Sequence, residues 1–375
     1  MRLTVLLSCF GLAASMAVCA LPTQVAAQPT PQRDGTFLKS RLEKDDTNED
    51  GQVTREEFSG PAPMFQRLDR DGDGKIDIKE VVNSMSIRRP ANNRVENLRS
   101  SRDVEVKRDV VFGKGGDRDL KMHLVFPKTM PDKPLPAYVW VHGGGWQSGS
   151  KEGGVNQVSR MVADGFVGAT IEYRLTGEAP FPAQIEDCKC AIRFLRAHAE
   201  EYGIDPNRIA VGGSSAGGHL VALLGTSGDV QELEGNGGWQ DQSSRVQAVV
   251  DLYGPTDFSK FVTTKGFESH NRPGSPESKL LGGGEVLGNN DGIGRVNPIT
   301  YIDDQDPPFL IIHGTEDPVV PMNQSQLLHE ALESAGVETQ LELIRGAQHG
   351  GREFATPEIR ELIQTFLKKN LQAPE

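Results

Sequence analysis

Apolar residues recur along the C-terminal three-quarters of this chain in two alternating patterns. Ala137-Tyr-Val-Trp-Val141, Phe166–Tyr173, Ile209-Ala-Val211, Val246–Tyr253 and Phe309-Leu-Ile-Ile312 are short, mostly apolar runs rich in β-branched residues. Such runs predict strands buried on both faces. Arg102–Val111, Leu120–Phe126 and Gln340-Leu-Glu-Leu-Ile344 also read as strands. Between them, Val155–Ala163, Ala183–Tyr202 (closed by Gly203), 326–332 and 359–367 carry apolar residues at helical spacing. Strands alternating with helices imply an α/β fold, a largely parallel sheet with helices on both faces. Thr263–Asp291 is polar, rich in Gly and Pro, and without clear period. It reads as a long loop near the mouth of a site, since insertions of this length in compact domains usually serve function.

The N-terminal quarter is patterned differently. Arg2 precedes an almost wholly apolar run, Leu3–Ala20, and Val25-Ala26-Ala27 or Val18-Cys19-Ala20 supplies small residues for cleavage. Residues 1–27 therefore read as a secretory signal, and the expected location is secreted or periplasmic. The run is short and ends at Pro22, which argues against a spanning anchor. No other segment is apolar for the ~18 residues that a spanning helix needs.

Two charged loops follow. Asp46-Thr-Asn48-Glu-Asp50-Gly51-Gln52 closes with Glu57, and Asp69-Arg-Asp71-Gly-Asp73-Gly74-Lys75 closes with Glu80. Both fit D-x-[DN]-x-[DN]-G-x5-E at every fixed position, the pattern of a calcium-binding EF-hand loop. A hard cation takes oxygen ligands only. The first, third and fifth residues supply side-chain oxygens, Gln52 and Lys75 a backbone carbonyl, and the last glutamate both carboxyl oxygens, while the glycine makes the sharp turn. The predicted ligands are thus Asp46, Asn48, Asp50, Gln52 and Glu57, then Asp69, Asp71, Asp73, Lys75 and Glu80. Phe58, Phe65 and Leu68 are expected to form a small core, with Val53 and Ile76 pairing the two loops. The divisions expected are a signal at 1–27, a small α-helical EF-hand pair at 28–90, a linker at 91–101 and an α/β domain at 102–375.

Chemistry-bearing residues sit at strand ends in the α/β part. Ile209-Ala-Val-Gly-Gly-Ser-Ser-Ala-Gly-Gly218 joins a strand to the helix-compatible His219-Leu-Val-Ala-Leu-Leu224. Within it, Gly213-Ser-Ser215-Ala-Gly217 fits G-x-S-x-G, the sharp strand-to-helix turn that lifts one serine clear of the sheet. Val141 runs into His142-Gly143-Gly144-Gly145-Trp146, where glycines let backbone N–H groups converge on one spot. Asp317 follows the strand Phe309-Leu-Ile-Ile-His-Gly314, and His349 follows the strand ending at Ile344. Serine, then acid, then histidine is the chain order of α/β-hydrolases. Glu316 and Asp257 are weaker choices for the acid, and His142, His219 and His313 read as structural. Trp146 and Tyr173 could line a pocket or merely pack.

From about Arg102 onward the chain resembles α/β-hydrolases of the esterase/lipase group that carry an HGGG oxyanion motif. Ile171-Glu-Tyr-Arg-Leu175, Phe181-Pro-Ala-Gln-Ile-Glu-Asp187 and His313-Gly-Thr-Glu-Asp317 are similar to segments of bacterial carboxylesterases, acetyl esterases and feruloyl-esterase-like hydrolases. Glu172 stands where many relatives have Asp. The resemblance implies ester hydrolysis through Ser215, Asp317 and His349, with oxyanion donors at Gly144, Gly145 and Ala216. The implied partner is a small-molecule or carbohydrate-linked ester, and no cofactor enters the chemistry, calcium being structural. A serine peptidase or amidase of the same fold is the rival within this class. A calcium-dependent binding protein on a hydrolase scaffold is the rival outside it.

Composition narrows this picture a little. The chain has 375 residues, enough for two domains. Its formal net charge of −12 and lack of a basic stripe exclude nucleic acid as an expected partner. Cys188 and Cys190 flank Lys189 on a predicted helix, so their side chains diverge and no disulfide between them is expected.

Overall fold

The computed structural model describes residues 42–48, 50–59, 65, 73–78, 104–228 and 230–371. The expected signal at 1–27, the 91–101 linker, Leu68, and the predicted ligands Asp69, Asp71 and Glu80 lie outside the described residues. The chain divides into two compact units, Met1–Ala91 and Asn92–Glu375.

In the first unit, β1 (Gln52–Thr54) pairs antiparallel with β2 (Lys75–Asp77), and Val53 stands opposite Ile76. Both residues are fully buried, packed with Leu42, Phe58, Phe65 and Ile78. The rings of Phe58 and Phe65 meet edge-on at 5.6 Å. Gly51 and Gly74 have φ of 83° and 86°, the left-handed turn that glycine adopts without penalty.

The second unit is built on an eight-stranded sheet. Its strands are β3 (Val104–Gly115), β4 (Arg118–Pro127), β5 (Leu135–Val141), β6 (Val167–Ile171), β7 (Ile204–Ser214), β8 (Ala248–Leu252), β9 (Phe309–Gly314) and β10 (Thr339–Ile344). They lie in the order β10-β9-β8-β7-β5-β6-β4-β3, with β4 antiparallel to both of its neighbours, β3 and β6, and every other neighbouring pair parallel. Period-2 alternation sends side chains to two separate cores. Ala137, Val139 and Val141 join one core while Tyr138 and Trp140 join the other; in β9, Phe309 and Ile311 divide from Leu310 and Ile312 in the same way.

Helices cover both faces. On one lie α1 (Val155–Ala163) and, from the chain end, Pro357–Asn370, through Val158, Val162, Ile359, Phe366 and Leu367. On the other lie α2 (Ala183–Ala197), α3 (Ala216–Thr226) and, further along, Asn323–Ser334. The α/β-hydrolase expectation therefore holds in layer order and strand direction. Two expectations need correction. The helix predicted over Ala183–Tyr202 ends at Ala197, and a turn carries the chain to Gly203 at φ 62°. Thr263–Asp291 is not a loop but largely short helices. After α4 (Phe258–Thr263) come a single turn at Glu268–Asn271, α5 (Pro276–Leu280), another turn at Val286–Gly288, and α6 (Asn290–Val296). Asp257, Ser275 and Asn289 cap α4, α5 and α6 through their side chains, so local capping replaces the missing apolar period. Numbering on, Asn323–Ser334 is α7 and Pro357–Asn370 is α8.

Cys188 and Cys190 are free and buried in α2. Among the described residues no helix is long and apolar enough to cross a membrane.

Candidate active site

The site forms where parallel strands end, the usual place for ligands in an open α/β sheet. β7 delivers Ser214, and Ser215 turns the chain into α3 at φ 56° and ψ −122°. That conformation is rare for a residue with a Cβ and is held by its neighbours. A Cβ on Gly217 would stand 2.2 Å from the Val141 carbonyl oxygen, and one on Gly213 would stand 2.3 Å from the Gly217 carbonyl oxygen. Both glycines are thus required by close backbone approach.

Ser215, Asp317 and His349 come together. His349 Nε2 lies 2.9 Å from Ser215 Oγ, and His349 Nδ1 lies 2.7 Å from Asp317 Oδ2. A carboxyl beside Nδ1 fixes the Nδ1–H tautomer, which leaves Nε2 to accept the serine proton. Asp317 Oδ1 accepts from the Val319 and Val320 N–H groups at 2.8 and 2.9 Å. Burial pushes the Asp317 carboxyl up, but hydrogen bonds from His313, His349 and Val320 outweigh it and hold the group well below the usual carboxylate range. The rivals have other tasks. Glu316 is exposed. Asp257 caps α4 through Lys260 N and accepts from Ser259 Oγ.

The glycine run after β5 is set against the serine. Gly144, Gly145 and Trp146 all have positive φ, at 118°, 59° and 56°. Gly144 O accepts from Gln147 N, Ser148 N and Ser148 Oγ, which folds the loop back on itself. Among the described residues the N–H groups of Gly144 and Gly145 have no acceptor. Ala216 opens α3, so its N–H has no acceptor within the helix. All three residues line one cleft of about 420 Å³ with Ser215 and His349.

The other histidines are anchors. His142 Nδ1 donates to Gly143 O at 2.8 Å, and its ring stacks on Tyr173 at 4.4 Å. Burial holds His142 below its ordinary pKa. Tyr173 Oη donates to His142 O. His219 Nδ1 accepts from Trp146 Nε1 at 3.2 Å while Nε2 donates to Val296 O at 2.8 Å. Trp146, 1% exposed, therefore packs and also contributes to the cleft. His313 is wholly buried between Ser325 Oγ and Val320 O.

Sequence reasoning missed several cleft residues: Tyr253, Pro255, His270, Pro276, Glu277, Val319 and Val320. Tyr253 had a signal, since it follows a buried strand at its C-terminal end. It packs 4.7 Å from the His349 ring.

The BD-FAE family model matches residues 122–332, more than half of the chain. The chain belongs to the BD-FAE family. An EF-hand model also matches residues 39–59 and 62–85. Among curated relatives, esterase LipQ of Mycobacterium tuberculosis is 31% identical over 62% of this chain and 53% of its own length. This BD-FAE chain spans about half the length of the curated relatives it matches. A truncated carbohydrate esterase from gut microbiota superposes with a TM-score of 0.65 at 28% identity, over 71% of this chain and 96% of that one. The propionate-bound esterase Est2 of Thermogutta terrifontis gives 0.59 at 30%, over 73% and 97%.

For cations, the first N-terminal loop is formed. Asp46 Oδ1 and Oδ2 accept from the N–H groups of Asp50 and Gly51, Asn48 Oδ1 from Asp50 N, and Asp50 Oδ1 from Gln52 N. Glu57 takes Thr54 N, Thr54 Oγ1 and Thr47 Oγ1. This all-oxygen donor set and tight turn fit calcium. Asp73 Oδ1 accepts from Lys75 N in the second loop, and Lys75 Nζ donates to Gln52 Oε1. Elsewhere, Asp109, His123 and Glu152 gather ligand atoms within 4.8 Å, the one such group among the described residues. It does not suit a metal. His123 Nδ1 accepts from Asp109 N, its Nε2 donates to Glu152, and the Lys151 ammonium already stands 3.2 Å from Asp109 Oδ1.

Proposed function

We propose that this protein is a serine carboxylesterase for short-chain, water-soluble esters, small or carbohydrate-linked. The observation that carries the reading is the continuous contact from Ser215 Oγ through the His349 ring to Asp317. Ser215 Oγ attacks the ester carbonyl carbon as His349 Nε2 takes its proton. Asp317 keeps the imidazole in its tautomer and stabilises the charge it gains. The N–H groups of Ala216 and of Gly144 or Gly145 bind the oxygen that turns negative. His349 returns its proton to the leaving alkoxide, and water releases the acyl-enzyme by the same route.

The cleft supports a preference for small acyl groups. Its volume is about 420 Å³, and the 263–291 segment, which lines it through His270, Pro276 and Glu277, is held by the side-chain caps of Ser275 and Asn289. The N-terminal pattern supports export, and the two EF-hand loops support calcium binding, with Asp46, Asn48, Asp50, Gln52 and Glu57 holding one ion. Calcium there supplies a positive charge that offsets loop carboxyl repulsion, and no catalytic step uses it.

A fluorophosphonate probe tests the nucleophile: the adduct is expected on Ser215, with Ser215→Ala losing on the order of 10⁵–10⁶ in kcat. Nitrophenyl esters of increasing chain length test the substrate range, with acetate and butyrate expected to lead. An adduct on Ser214, or better turnover of long-chain emulsions, would contradict this reading.

A further inference from the structure

Behind the serine turn lies a second cavity, of about 210 Å³, on the α1 and α8 side of the sheet. It shares Ser214 and Tyr253 with the catalytic cleft but is lined by none of Ser215, Asp317 and His349. Trp140, Met161, Leu252, Phe354 and Ile363 give it apolar walls, and no Asp or Glu lines it. Its one charged lining residue is Arg160, from the last turn of α1.

The Arg160 side chain is half-buried and, among the described residues, makes no ion pair or hydrogen bond. Burial disfavours its charged form, and the neighbouring charge that bears on it is a second cation, Arg360 of α8. Other arginines of this unit are answered by acids. Arg118 holds Glu172 and Glu178, Arg174 holds Asp187, and Arg193 meets Glu234. A guanidinium keeps its proton in proteins, so one that has lost part of its water and faces no carboxylate calls for an anion.

Tyr138 adds a second donor. It lines the same cavity, is 3% exposed, and its hydroxyl has no hydrogen-bond partner among the described residues. That hydroxyl lies over Gly212, where a Cβ would stand 1.9 Å from it, so the glycine leaves the room that the ring fills. Burial raises the pKa of Tyr138, which therefore stays an O–H donor.

We infer that this cavity binds a small monocarboxylate, with the carboxylate on Arg160 and the apolar body against Trp140, Met161 and Phe354. A planar carboxylate matches the guanidinium fork and adds charge to the hydrogen bond. A sulfate or phosphate brings the charge but leaves the apolar walls uncovered. A neutral amide covers the walls but leaves Arg160 without a counter-charge. The inference does not rest on the esterase reading, because the ligand is a free acid and binding is measured without turnover.

Calorimetry on the full chain tests it with valerate, with valeramide as the neutral isostere, and with sulfate as the anion that lacks an apolar body. Wild type is expected to bind valerate at one site, and the other two more weakly by about tenfold or more. Arg160→Gln should weaken valerate binding by about 10- to 100-fold, the loss of one hydrogen bond to a charged group. Its melting temperature should hold or rise, because a half-buried, unpaired charge has been removed. With valerate bound, Ser215 should still react with a fluorophosphonate at nearly its usual rate, since the acid sits outside the cleft. No saturable binding of valerate by wild type, equal binding of valeramide or sulfate, or equal affinity in Arg160→Gln would each overturn the inference. Protection of Ser215 from the probe by valerate would overturn it too, by placing the acid in the catalytic cleft. If Arg160→Gln does not fold, the three ligands and the protection experiment decide the matter on wild type alone.

Discussion

His313 Nε2 lies 3.3 Å from Asp317 Oδ2, the oxygen that His349 Nδ1 approaches at 2.7 Å. One carboxyl oxygen thus serves a buried anchoring imidazole and the imidazole that faces Ser215. The other oxygen is held by two backbone N–H groups. Asp317→Asn places an amide among donors and removes the group that fixes the His349 tautomer. It is expected to lower kcat on p-nitrophenyl acetate by about 10⁴. Glu316→Gln, on the exposed neighbour, should leave kcat within a few-fold. Steady-state rates on both variants check this, and a larger loss in Glu316→Gln would show that the acid has been misassigned.

The serine turn gives a second expectation. Gly217→Ala puts a methyl group 2.2 Å from Val141 O and 2.7 Å from His142 O, so backbone must move on either side of the oxyanion loop. Fluorophosphonate labelling of Ser215 should slow at least tenfold, and the melting temperature should fall. Gly153→Ala is the control, since nothing lies within 4 Å of a Cβ there. Labelling rates and melts of the two variants are to be compared, and equal behaviour would mean that the turn tolerates what its geometry forbids.

Much of this was legible in the chain because it depends on local rules. Apolar runs with Gly at their ends marked the inner strands, and small residues around Ser215 marked a turn that only small residues permit. The similar segments Ile171–Leu175 and Phe181–Asp187 also find a physical reason. Arg174 grips Asp187 with Nε and Nη2, and Arg174 N donates to Asp187 Oδ2 at 2.7 Å. What stayed hidden depends on contacts distant in sequence. Lys189 and Arg193 look like a solvated face of α2, yet both are buried against Glu234. His270 and Glu277 look like loop polarity, yet both line the cleft, with Pro276 of α5 packed on Gly145 and the His270 ring on Phe261. The short helices of 263–291 rest on side-chain caps that carry no apolar period.

His219 provides a pH-dependent expectation. Burial pushes its pKa down from 6.5 to about 4. The fold therefore favours the neutral ring, which accepts from Trp146 and donates to Val296. The unfolded chain binds a proton below 6.5 that the folded one refuses until about pH 4. The stabilising contribution is thus complete above 6.5 and lost as pH falls from 6.5 to 4, by up to about 3 kcal/mol. His219→Gln keeps an acceptor and a donor without titrating. The melting-temperature advantage of wild type over this variant should shrink between pH 7.5 and pH 4.5. A gap that stays constant would show that His219 does not titrate as its burial implies.

Calcium should act on the first unit and not on the chemistry. Every group placed in the catalytic steps follows Val141, and both EF-hand loops precede Val81. In the first loop, Asp46 and Asp50 point their oxygens at the same turn of backbone, taking the N–H groups of residues 50–52. The second loop carries more acidic ligand candidates, Asp69, Asp71, Asp73, Asp77 and Glu80, and is expected to bind more tightly. Extracellular sites of this kind often bind at about 10⁻⁴–10⁻³ M. At 100 times Kd, one site adds about 2.7 kcal/mol to the stability of the unit that holds it. A chelator should therefore lower the first melting transition and speed proteolysis between about Gly35 and Ser101. Asp46→Asn with Glu57→Gln should weaken calorimetric calcium binding at one of two sites. The value of kcat on p-nitrophenyl acetate at low temperature should remain nearly unchanged in both cases. Loss of turnover on chelation while the second unit stays folded, with recovery on adding calcium, would show that the ion takes part in the active site after all.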